Sequence, residues 1–177
     1  PLIGLDKKIS RVVFGCDNQS SADHAFAMFD HFFSLGGNAF DTAFIYNNGK
    51  SDSYLGRWMK SRGLRNKVVI LGKGAHTPDC FPHMIRPQLE ESLDRLQTDK
   101  LDIYCLHRDN LEVPVSEFID VLNELKKEGL IQLFGASNWS LPRFSEAFSY
   151  AEKTEKNSFS VLSNNFSLAR MLEAVWP

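Results

Sequence analysis

Asp41, Tyr46, Lys73 and His107 fall at or just beyond the ends of three successive strand-like runs, Asn38–Asp41, Lys67–Lys73 and Leu101–His107. Each run is apolar or β-branched until a charged or titratable residue closes it. In a parallel α/β barrel the carboxyl ends of the strands share one face, so residues that close strands converge there. The four side chains would bring together an acid, a cation to tune it, a carboxylate to hold the cation, and an imidazole to orient a substrate. Reduction of a carbonyl group uses such a set. Taken singly, Asp41 is equally a turn cap, Lys73 an ordinary strand-end cation and Tyr46 a loop aromatic. Their company argues for a site.

The elements that must position them alternate along nearly the whole chain. Arg11–Cys16 reads as a strand, and Ser20-Ser21 offers an N-cap to a helix with Ala25, Phe26, Phe29, Phe32 and Phe33 at helical spacing. Gly36-Gly37 ends that helix. After the second strand, Ser51 or Asp52 is expected to cap a helix carrying Tyr54, Leu55, Trp58 and Met59. A helix from about Pro82 to Leu96 follows the third strand. Pro114 opens another, whose stripe of Phe118, Val121, Leu122 and Leu125 stops at Gly129. Leu130–Ser137 is a fifth strand, Pro142–Thr154 a helix, and Phe159–Asn164 a sixth strand. Continuous apolar strands alternating with amphipathic helices predict a parallel sheet covered by helices. No GxGxxG follows the first strand, so a Rossmann dinucleotide fold lacks its fingerprint, and a (β/α) barrel is the better reading.

With 177 residues, 43% of them hydrophobic and 24% charged, the chain reads as one ordinary globular domain. A net charge of −2 gives no electrostatic reason for a nucleic-acid or membrane partner. No apolar stretch reaches bilayer-spanning length, and the start lacks both a signal-like pattern and an initiator Met. Cys16, Cys80 and Cys105 are odd in number and widely spaced, which favours reduced thiols and a cytoplasmic location. His24 and His31 read as a solvated helical edge. His76 and His83 flank a loop with Asp79 and Cys80, but no paired spacing supports four metal ligands, and no metal is expected. His76 borders the substrate pocket or merely the loop, and Arg108 and Asp109 form a loop ion pair or touch substrate; the sequence leaves both open.

Four stretches carry a resemblance: Phe40-Asp41-Thr42-Ala43-Phe44-Ile45-Tyr46, Gly72-Lys73-Gly74, Leu101-Asp102-Ile103-Tyr104-Cys105-Leu106-His107, and Gly135-Ala136-Ser137-Asn138-Trp139. In order and spacing they resemble aldo-keto reductases, from about residue 11 onward. Phrases such as Lys73-Gly74-Ala75-His76-Thr77-Pro78 and His107-Arg108-Asp109-Asn110 are similar to a bacterial subgroup, some members of which are fused to a Gfo/Idh/MocA-type oxidoreductase domain.

The resemblance implies an eight-stranded (β/α)8 TIM barrel that binds NADPH, with NADH left open, and reduces an aldehyde or ketone as its small-molecule substrate. It implies Tyr46 as proton donor, its pKa lowered by Lys73, with Asp41 holding Lys73 and His107 bonding the substrate carbonyl. It also implies Ser137 and Asn138 at the nicotinamide carboxamide. Asn164 stands in the region where many members carry Gln, and Phe166 where Tyr is common. A barrel of this type needs eight strands and roughly 250 residues, whereas six strands are visible, so residues 1–177 are expected to form an incomplete barrel lacking strands 7 and 8. A fused or missing domain would complete it. The reading from another class is a reductase-like fragment that serves as a binding or regulatory module.

Overall fold

The structure is a computed structural model and describes residues 2–165 and Leu168. Six short runs form the strands β1 (Val13–Gly15), β2 (Ala39–Asp41), β3 (Val69–Gly74), β4 (Leu101–Leu106), β5 (Ile131–Ser137) and β6 (Val161–Ser163). They lie side by side in chain order, every neighbouring pair parallel. Successive strands are joined by the helices α1 (Ala22–Ser34), α2 (Lys50–Arg62), α3 (Pro82–Leu96), α4 (Val115–Lys127) and α5 (Leu141–Lys153). This is the parallel, helix-covered sheet expected from the alternation, and the six-stranded part of the (β/α)8 barrel that the resemblance implies. Phe166, singled out above, lies outside the described residues.

Two apolar layers follow from the period of the strands, which sends alternate side chains to opposite faces. The outer layer joins sheet to helices. Phe14, Phe29, Phe40 and Trp58 pack there with ring centroids 5.1–5.8 Å apart, and the Trp58 indole donates to Asp30 Oδ1 at 2.7 Å. Gly56 lets α2 cross α3 closely, because a Cβ there would collide with the backbone of Arg95 and Leu96. The inner layer consists of Ala39, Val69, Ile103, Cys105 and Leu133.

The segment before β1 carries no periodic signal, yet its Leu2, Leu5 and Ile9 pack on the inner layer at the end where the strands begin. Lys7 fixes it there, its Nζ reaching Arg65 O, Val68 O and Asp102 Oδ1 at 3.1, 2.7 and 2.7 Å. Asp102 is 1% exposed and also takes Arg65 Nη1 and the Ile70 N–H, each at 2.9 Å.

Several boundaries differ from the sequence reading, for local reasons. β1 and β6 are shorter than expected, three residues each, and each pairs on one side only among the described residues. Phe159 leaves the sixth strand and packs instead against Trp139, ring centroids 5.1 Å apart. Ser51 and Asp52 do not cap α2. A 3-10 turn at Tyr46–Gly49 leads straight into the helix through Gly49 at φ +80°, which places both polar residues inside the first turn, buried. Pro114 is the N-cap of α4 rather than its first residue.

Candidate active site

Strand register decides which side chains meet. Asp41 pairs with Leu71 across β2 and β3, and Lys73 with Cys105 across β3 and β4. Asp41 thus closes β2 beside Lys73 near the end of β3, and His107 follows β4 immediately. The His107 N–H donates to Gly74 O at 2.7 Å, so the imidazole is set by the backbone of the strand that carries Lys73. Tyr46 opens the 3-10 turn, its N–H bonded to Ala43 O at 2.9 Å.

The four residues named from the sequence come together on one face. Lys73, 4% exposed, forms an ion pair with Asp41 and donates to Thr42 O at 3.4 Å. Its Nζ lies 4.9 Å from the centroid of the Tyr46 ring. His107 stands edge-on to the same ring, with ring centroids 5.6 Å apart.

The electrostatics sort these groups into roles. Burial pushes the Asp41 carboxyl up, against the pull of Lys73. Burial works against the Lys73 ammonium, but Asp41 and Tyr46 outweigh it and hold the amine above its ordinary range. Lys73 is therefore a fixed cation at neutral pH. For Tyr46 the sequence reading was a pKa lowered by Lys73. Burial acts the other way and is larger, so the phenol lies above its usual value although the ammonium pulls it down. His107 is pushed down to about 3 by burial and by the charges of Lys73, His76 and Arg108. It is a neutral ring that can hydrogen-bond but cannot carry the proton at neutral pH.

That shift has a stability consequence with a definite sign. Below its ordinary value of 6.5 an unfolded His107 takes up a proton that the folded one refuses until about pH 3. Stability present above pH 6.5 is lost as the pH falls through that window, by up to about 5 kcal/mol. His107→Gln should flatten the acid slope of the unfolding free energy between pH 6.5 and 4. Parallel slopes in urea titrations of the two proteins would contradict this.

The turn after Lys73 is held from α3. Ala75 is fully buried at φ +56°, a conformation unfavourable for an L side chain. Its N–H donates to the buried Gln88 Oε1 at 2.7 Å, and its carbonyl accepts from Arg108 N at 3.2 Å. Gln88→Leu keeps the volume but leaves that amide without an acceptor, and should cost about 2 kcal/mol in urea unfolding. No loss would mean the turn holds itself. The next residue, His76, is half-buried with its ring edge-on to His107, centroids 4.8 Å apart, which places it at the border of the site. Asp109 forms an ion pair with Arg143 of α5 at 2.9 and 3.0 Å, a partner outside its own loop.

At the end of β5 the Ser137 hydroxyl donates to Ser163 O at 3.0 Å. Asn138, at φ +60°, donates through Nδ2 to Ser137 Oγ and His107 O. Among the described residues nothing donates to Asn138 Oδ1, which leaves an exposed amide acceptor tied to the backbone of His107. Asn164 is committed differently, its Nδ2 bonded to Trp139 O at 2.8 Å. Sequence reasoning missed Thr42, Asp52, Gln88 and Asp17 as neighbours of the site; Asp17 adds negative charge facing Asp41 and Tyr46. Among the described residues no group of three or more His, Cys, Asp or Glu is placed to hold a metal ion, and no helix is long and apolar enough to cross a membrane.

Comparison with known proteins agrees with this fold. A profile described as the Aldo/keto reductase family matches residues 12–175. A probable aryl-alcohol dehydrogenase of Saccharomyces cerevisiae is 31% identical over 160 residues, covering 82% of this chain and 49% of that protein. Norsolorinic acid reductase B of Aspergillus parasiticus is 30% identical over 165 residues, 86% of this chain and 43% of that protein. An aldo-keto reductase from Klebsiella pneumoniae, solved in complex with NADPH, superposes with a TM-score of 0.68 at 27% identity, over 80% of this chain and 50% of that one. The chain spans about half the length of the curated relatives it matches.

Proposed function

The chain belongs to the aldo/keto reductase family, and on that premise we propose that it carries the catalytic residues of an NADPH-dependent reductase that converts an aldehyde or ketone to an alcohol. The observation that carries the proposal is the ion pair of the buried Lys73 with Asp41 beside the Tyr46 ring, with a neutral His107 edge-on to the same ring. NADPH, bound in the Klebsiella relative, would supply the hydride.

The residues at the end of β5 fit the cofactor. Asn138 Oδ1 is an acceptor of the kind a carboxamide N–H needs, and Ser137 fixes the asparagine beside it. Asn164 serves from one step away, holding Trp139 and with it the turn that carries Asn138. On the substrate side, a carbonyl oxygen placed between Tyr46 and His107 accepts a hydrogen bond from each. As negative charge develops on that oxygen, the Tyr46 phenol passes its proton across. The raised pKa keeps the phenol protonated beforehand, and the Lys73 ammonium stabilises the phenolate left behind. Asp41 keeps the ammonium charged and in place.

The test is loss of reduced-nicotinamide absorbance when the purified protein meets a panel of aromatic and aliphatic aldehydes and ketones. Turnover that stops in Lys73→Met supports the reading. NADPH binding with no turnover of any carbonyl would overturn it and leave a nucleotide-binding module.

A further inference from the structure

One layer behind the four residues lies a buried carboxyl that the reaction as described does not use. Asp52, in the first turn of α2, is fully buried, and its Oδ1 accepts a hydrogen bond from the equally buried Thr42 Oγ1 at 2.5 Å. Ser92 and Arg95 of α3 face the same carboxyl. Arg95 is already engaged by Phe44 O at 2.9 Å and by Glu91, and Asp52 Oδ2 has no hydrogen-bond partner among the described residues. A carboxyl buried in the interior costs free energy that a well-packed apolar side chain would not. Packing alone therefore does not explain it.

Thr42 does. It follows Asp41 directly and is held at three points. Its N–H donates to Leu71 O at 2.8 Å, its hydroxyl donates to Asp52, and its carbonyl accepts from Lys73 Nζ at 3.4 Å. The first two anchor the peptide, and the third touches the ammonium. A lone Asp41 would give Lys73 one partner and freedom to swing about it. A fixed carbonyl as second acceptor removes that freedom and leaves the remaining N–H for Tyr46.

We infer that Asp52 and Thr42 are positioning residues, a buried pair that fixes the Thr42 carbonyl and thereby aims the Lys73 ammonium at Tyr46. The kinetic part of this inference rests on the reductase reading; the geometric part does not.

The experiment follows the Tyr46 phenol by NMR of the full chain labelled with carbon-13 at the tyrosine ring. The chain has four tyrosines, and Tyr46→Phe identifies the signal. Lys73, Asp41 and Asp17 are the charged groups facing that phenol. Thr42→Val alters none of them, yet it should raise the Tyr46 titration midpoint by about one pH unit as the ammonium loses its aim. Thr42→Ser, which keeps the hydroxyl, should restore it. In turnover, Thr42→Val should lower kcat roughly tenfold with KM for the carbonyl unchanged. Should the buried carboxyl, left without Thr42, unfold the single variant, the double variant Thr42→Val/Asp52→Leu removes both polar partners and should show the same upward shift. A Tyr46 midpoint that stays at the wild-type value in the folded valine variant, single or double, would overturn the inference and leave a purely structural pair. If the wild-type protein reduces no carbonyl, the reductase reading fails while the titration still decides this one.

Discussion

Tyr46→Phe should lower kcat for carbonyl reduction by about a thousandfold and leave NADPH affinity within about twofold. Phenylalanine keeps the ring that lies against Lys73 and His107 and removes only the hydroxyl. The loss then falls on proton transfer rather than on packing or cofactor binding. The alternative donor is His107, but a ring that protonates only near pH 3 holds almost no transferable proton in the neutral range. The pH profile should carry the same signature. Activity should fall as the pH rises through the raised Tyr46 pKa, and no limb should appear near the ordinary histidine value. Steady-state kinetics with a parallel NADPH fluorescence titration checks both parts. A residual rate within tenfold of wild type would move the proton donor elsewhere.

Asp102→Ala should be the most destabilising single change outside the site, at about 3 kcal/mol. Its carboxylate is 1% exposed and joins three separate pieces of chain: Lys7 of the amino-terminal segment, Arg65 before β3, and the Ile70 amide within β3. Truncation strands two cations and one buried N–H together. Lys7 and Arg65 keep some access to water, which limits the cost to the lower end of the range for a broken buried pair. Urea unfolding should show the midpoint falling with the slope unchanged. Lys7→Met should cost about 1 kcal/mol, since Asp102 keeps its other partners. Equal losses in the two variants would mean that the amino-terminal segment, not the buried carboxylate, holds this end of the barrel.

The four candidate residues were legible because three of them close strands. A run of apolar residues that ends in a charge marks both the strand and the face where its end emerges, and Asp41, Lys73 and His107 all follow that rule. What the chain concealed lies at longer range. Asp52 and Ser51 look like an N-cap from their types and position. Only the 3-10 turn at Tyr46–Gly49, with its left-handed Asn47 and Asn48, shifts the helix start and carries both inside. Gln88 sits on α3 among residues of a helical face, and nothing local says that its side chain reaches back to Ala75. Lys7 and its apolar neighbours belong to no periodic element, so their seat on the inner layer emerges only with the strands in place. The upward pull of burial on Tyr46 was out of reach for a related reason. Lys73 is named in the sequence, but the burial that outweighs it is a property of the assembled face.

The most direct measurement uses NADPH deuterated at the transferred position, a carbonyl acceptor and mass spectrometry of the alcohol formed. The wild-type protein should place one deuterium on the carbinol carbon, and Tyr46→Phe none above background. NADPH that binds while the acceptor stays unreduced, or label incorporated equally by both proteins, would contradict this.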